Sequence, residues 1–122
     1  MNYRIHTDAI KANLIPPELT PLQIAYTYAS EADMLNVAMF GKTAKEWKEE
    51  NPDLKGNIRD YATINQLICL SNMENLNAVF INEGLAQLER LEKLNKIAIQ
   101  QMKVLENVDD KRFLKLTDSE NR

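Results

Sequence analysis

Two small groups of residues have the types needed for acid–base or substrate-gripping chemistry. His6 and Asp8 stand in RIHTDAIK, and His6 is the only histidine of the chain. Two residues apart on a helix, they point away from each other, so capping and surface packing explain them better than a proton relay does. Arg59, Asp60 and Tyr61 in NIRDYA put a guanidinium, a carboxylate and a phenol just before an apolar stretch, which suits a substrate grip or an acid/base site. The plainer expectation is a structural polar lock in which Arg59 and Asp60 pair and hold the loop to the start of the next helix. Cys69, the single cysteine, lies in the apolar run ICL and reads as a small buried hydrophobe. One histidine and one cysteine do not make a zinc set, and neither a glycine-rich phosphate loop nor a nucleophile elbow is present. The expectation is therefore a protein that is not an enzyme, with no catalytic, cofactor-binding or metal-ligating residues.

Charge narrows the partners. Fifteen basic and eighteen acidic side chains give a formal net charge of −3, the wrong sign for a chain held to nucleic acid by neutralising phosphates. One local unit still resembles a helix-turn-helix: residues 31–50, MLNVAMFGKTAKEWKEE at their heart, run helix, Gly41, short turn, capped helix, with Trp47 placed to pack the second helix on the first. Its candidate nucleic-acid contacts are Lys42, Lys45 and Lys48, opposed by Glu46, Glu49 and Glu50. The longest stretch without a charge, Tyr61 to Met73, is thirteen residues, short of the roughly 20 that span a bilayer. Met1 is followed by Asn2 and Arg4 rather than by an apolar run, so the expected compartment is the reducing cytoplasm.

The elements that must position these residues read as helices. Only three glycines and four prolines punctuate 122 residues, and four valines stand against fifteen leucines and eleven alanines, a poor composition for strands and turns. That length suits one domain of about 100–150 residues. A short helix from Thr7 must stop before Ile15, because Pro16 and Pro17 follow. Thr20 with Pro21 starts a helix over 21–28, and Ser30 with Asp33 starts another that Gly41 closes, either separate from the first or continuous with it. Thr43 with Glu46 caps a helix over 44–50 anchored by Trp47, and NPDLKGNIRDYA is a turn-rich loop. Thr63 with Gln66 opens the strongest signal, apolar on almost every side, expected as a buried central helix to about Asn82. Its Asn65, Asn72, Asn75 and Asn82 share one arc, either as an interhelical polar network or as a solvated edge.

After Gly84 a long last helix is expected to about Leu105. Leu88, Leu91, Asn95, Ala98, Met102 and Leu105 recur by threes and fours, the spacing of a candidate dimer seam, with Asn95 placed to fix register against its symmetry mate. Packing of the same face on its own domain is the alternative. The expected whole is an all-α, compact bundle of about five helices in one domain, 1–106, followed by a flexible polar tail, 107–122.

Three stretches carry a family resemblance: RIHTDAIKANLIPPELT, then FGKTAKEWKEENPDLKGNIRDYA with the helix after it, then ERLEKLNKIAIQQMKVL. They resemble the C-terminal region of KilA-N domain proteins of phages and prophages, from about Tyr3 to Leu105. The resemblance implies a helical segment that follows a small DNA-binding domain, with that domain upstream of the region matched. It carries no catalytic residue onto this sequence. What it implies is a helical interaction or oligomerisation module, a homodimer through the seam, that assembles or positions the DNA-binding domain and meets DNA only through it.

Overall fold

The structure, a computed structural model, describes residues 14–120, with side chains as far as Asn107; the helix expected from Thr7, with His6 and Asp8, lies outside the described residues. Hydroxyl side chains start four of its five α-helices. Thr20 begins α1 (Pro21–Ala25), accepting from the Gln23 N–H at 3.2 Å while Gln23 Oε1 accepts from the Thr20 N–H at 2.9 Å. Ser30 begins α2 (Glu31–Phe40), which ends where Gly41, at φ 75°, turns its N–H back to the Val37 carbonyl. Thr43 and Glu46 form the reciprocal box that starts α3 (Ala44–Glu50), and Thr63 with Gln66 the one that starts α4 (Ile64–Asn82). In each case a side-chain oxygen satisfies an N–H that the first helical turn leaves unpaired. Between α3 and α4 the loop forms a 3-10 turn, Ile58–Tyr61. Gly84, at φ 81°, reverses the chain into α5 (Gln87–Glu120).

The helices are those expected in an all-α bundle, with no strand among the described residues, but three details differ. First, α1 ends at Ala25 instead of 28 and is not continuous with α2. The extended segment 26–28 spends its backbone groups on a distant side chain: the Tyr28 N–H donates to Gln87 Oε1 at 2.8 Å, and the Tyr28 carbonyl accepts from Gln87 Nε2 at 3.1 Å. Second, the helix enclosed on almost every side is α2, where Met34, Leu35, Asn36, Val37, Ala38 and Met39 are all buried. α4, expected in that place, buries one face through Gln66, Cys69, Leu70, Met73 and Asn77. Third, α5, expected to end near Leu105, remains helical to Glu120.

α5 packs along both α2 and α4, and this overturns the candidate dimer seam. Leu91, Asn95, Ala98 and Met102 are buried in the chain's own core with Met34, Met39, Cys69 and Met73, Leu105 packs at its border, and only Leu88 is exposed, at 45%. Asn95 has no need of a symmetry mate: its Nδ2 donates to the Pro17 carbonyl at 2.9 Å and the Ala38 carbonyl at 3.0 Å. A three-and-four spacing marks an apolar face without saying which helix covers it. Here the face is covered from within, and each large side chain so buried contributes about 1.5–3 kcal/mol.

Candidate functional site

Gly41 and the residues after it wall one side of a half-open cleft of about 560 Å³, and the 3-10 turn walls the other. Gly41 is required there twice over: its φ is left-handed, and a Cβ would stand 2.5 Å from Pro17 Cγ. Trp47 from α3 and Tyr61 from the turn line the cleft with ring centroids 5.3 Å apart and planes tilted by 33°. The Tyr61 hydroxyl donates to the Lys55 carbonyl at 2.8 Å. Pro17, Phe40 and Ile58 add apolar lining and Lys42 and Gln66 polar lining, so the cleft is about as polar as it is apolar.

The ionisable residues singled out in the sequence are engaged elsewhere. Arg59 and Asp60 do not pair with each other: Arg59 reaches Glu74 on α4 at 3.2 Å, and Asp60 accepts from the Asn57 N–H at 2.8 Å, capping its own turn. A polar lock between loop and helix does exist, built from Arg59 and Glu74, because the 3-10 turn aims adjacent side chains apart. Lys42 pairs with Glu50 at 2.6 Å, and Lys48 donates to the Leu54 carbonyl. Lys45 lies with Leu22, Glu46 and Glu49 in a second groove. Two of the three lysines thus satisfy groups of this chain. Cys69 is buried at the α4–α5 contact, and burial pushes its thiol up to about 11, which keeps it protonated and inert at neutral pH.

The tightest polar cluster was missed in the sequence. Arg90 of α5 is buried and donates through Nη1 to Glu31 of α2 and to Asn77 Oδ1 of α4 at 3.0 Å; its Nε donates to the Leu85 carbonyl at 3.0 Å. Asn77 Nδ2 and Gln87 Nε2 add further donors to Glu31, at 2.9 and 3.2 Å. Burial alone would raise the Glu31 pKa, but the hydrogen bonds from Asn77, Arg90 and Gln87, with the Arg90 charge, outweigh it and hold the carboxyl below its ordinary value. Every partner in the cluster is spoken for, so it ties three helices together. One signal was legible: Asn77 stands four residues after Met73 and eight after Cys69, on the apolar row of α4.

That leaves the outer face of α4. Ile64, Leu67 and Ile68 are 77, 42 and 45% exposed, and Ser71, Asn75, Ala78, Val79 and Asn82 continue the same row. Among the residues that α4 exposes, Glu74 alone is charged. Asn65 reaches Glu106 at 3.1 Å and Asn72 reaches Gln101 at 3.3 Å, joining α4 to α5 at one edge, whereas Asn75 and Asn82 lie on the solvated row. These two bonds set an antiparallel register that puts Val104, 55% exposed, level with Ile68. The water-facing side of α5 is ordinary by contrast, carrying Glu89, Lys93, Lys96 and Lys103.

Among the described residues no cluster of three or more His, Cys, Asp or Glu is placed to hold a metal ion, and no helix is long and apolar enough to cross a membrane. No family model, curated protein or solved structure matches the chain.

Proposed function

We propose that this domain is a non-catalytic interaction module that serves a DNA-binding domain of the KilA-N type, acting in the cytoplasm and meeting DNA only through that domain. One observation carries the reading: α4 turns an almost uncharged row of Ile64, Leu67, Ile68, Ala78 and Val79 to solvent while α5 beside it is charged. A helix face that stays in water gains solubility from charge, and contiguous exposed apolar area marks contact surfaces. The family resemblance supplies the partner class. A contact made by this module turns a second DNA contact into an intramolecular one and raises avidity without new base contacts.

The test joins a DNA-binding domain of the KilA-N type to the full chain and titrates DNA carrying one site or two. The fusion is expected to bind at least about tenfold tighter than the isolated DNA-binding domain, and Leu67→Glu on α4 to abolish the gain. Equal affinities would sink the reading. Direct nucleic-acid binding by residues 31–50 is the weaker alternative, because Lys42 and Lys48 are committed to Glu50 and the Leu54 carbonyl.

A further inference from the structure

The outer row of α4 is complementary to itself. We infer that two copies of this chain dock antiparallel through it, α4 against α4, about a two-fold axis level with Met73. The inference rests on reading that face as a contact surface, and it names the occupant.

Side-chain sizes along the row complement one another. The row reads Ile64, Leu67, Ile68 and Ser71 in its first half and Asn75, Ala78, Val79 and Asn82 in its second. Reversing one copy about Met73 layers Ile68 beside the second copy's Ala78, Leu67 beside its Val79, and Ile64 beside its Asn82. Large side chains from one copy thus meet small ones from the other, as interdigitating helices require. At the centre Ser71 meets the second copy's Asn75, a hydroxyl facing an amide that both donates and accepts. A two-fold axis repeats each of these contacts, the arrangement of an isologous interface.

The row also lacks charge. A two-fold axis brings like surfaces together, so charges of one sign near the axis repel each other. The α4 row has no charge to repel, and Glu74 stands at its edge already paired with Arg59 at 3.2 Å. Exposed Val104 of α5 widens the apolar strip on the other edge.

Area sets the strength. At about 1.5 Å per residue and roughly 10 Å across, the row offers on the order of 300 Å² per copy, against about 800 Å² per partner in a standard interface. The dimer is therefore weak and concentration-dependent, which suits a contact that acts between molecules already held near each other on DNA.

Sedimentation equilibrium of the full chain, from micromolar to millimolar concentration, is expected to show a monomer–dimer equilibrium that Ile68→Glu weakens at least about tenfold. Circular dichroism confirms that the variant is folded, since the side chain it replaces is already half in water. The paired substitution Ser71→Cys with Asn75→Cys is expected to give a disulfide-linked dimer on mild oxidation, and it decides the matter even if Ile68→Glu does not fold. A monomer throughout the range, a dimer indifferent to Ile68→Glu, or no cross-linking would each overturn the proposal. Its fate separates from that of the module reading. A monomer whose fusion still gains DNA affinity through Leu67 uses the face on the joined DNA-binding domain and not on a second copy, and a dimer whose fusion gains nothing self-associates without serving DNA binding.

Discussion

Arg90 shows how a single side chain can join parts of the chain distant in sequence. It satisfies Glu31, Asn77 and the Leu85 carbonyl at once, and removing it leaves a carboxylate and an amide short of a donor. Because the Glu31 side chain is 42% exposed, water and salt screen part of that loss. The linkage sign follows from the lowered pKa of Glu31. A carboxyl whose folded pKa is depressed adds stability that is fully present above its unfolded value and is lost as pH falls through its folded one. Thermal stability of the wild type should thus fall on acidification below the ordinary carboxylate range. Glu31→Gln is expected to be less stable than wild type at neutral pH, by about 1–2 kcal/mol, and to flatten that part of the profile. Melts between neutral and acidic pH check this, and parallel profiles for both proteins would remove Glu31 from the account. Asn36 is the counter-case: its Oδ1 is buried with no hydrogen-bond partner among the described residues, and nothing in the structure explains it.

At the scale of elements, the two faces with the same apolar spacing have opposite fates. On α5 the row with Leu91, Ala98 and Met102 is core, whereas on α4 the row with Ile64, Leu67 and Ile68 faces water. Substitutions should separate them cleanly. Met102→Ala is expected to cost about 2–5 kcal/mol of folding stability, since it empties space in a close-packed interior, while Ile68→Ala is expected to change it by less than about 0.5 kcal/mol. Urea denaturation of both variants measures the difference. Similar costs would mean that the α4 row is buried in the protein as it exists in solution at the concentration used. Helix starts belong to this scale too. The boxes at Thr43 and Thr63 were legible because a cap needs only residues three apart, all local in sequence. The end of α1 was not, because it depends on Gln87, far along the chain.

Across the whole molecule, one cluster holds α2, α4 and α5 together, and Trp47 and Ile58 are buried outside it. α3 is a seven-residue helix that leans on the 3-10 turn. Uneven stability follows, because segments with few buried contacts open without global unfolding. Native-state hydrogen exchange should find the amides of α2 and the core-facing turns of α4 and α5 exchanging only through global unfolding, and those of α3 through local opening. Uniform protection across α3 and α2 would show that the Trp47 cleft is part of the same cooperative unit.

The sequence by itself determined the helical class, the four hydroxyl caps, the turns at Gly41 and Gly84 and the burial of Cys69, because propensity, capping and backbone handedness act within a few residues. Only the tertiary structure decided which face meets which. It closed the row of Leu91, Asn95 and Met102 onto α2 and α4, and paired Arg59 with Glu74 instead of Asp60. It gave Asn95 to the carbonyls of Pro17 and Ala38 and left the uncharged row of α4 uncovered. An apolar period records that a face needs a cover, and the cover itself is chosen by residues tens of positions away, whose arrival no local pattern encodes.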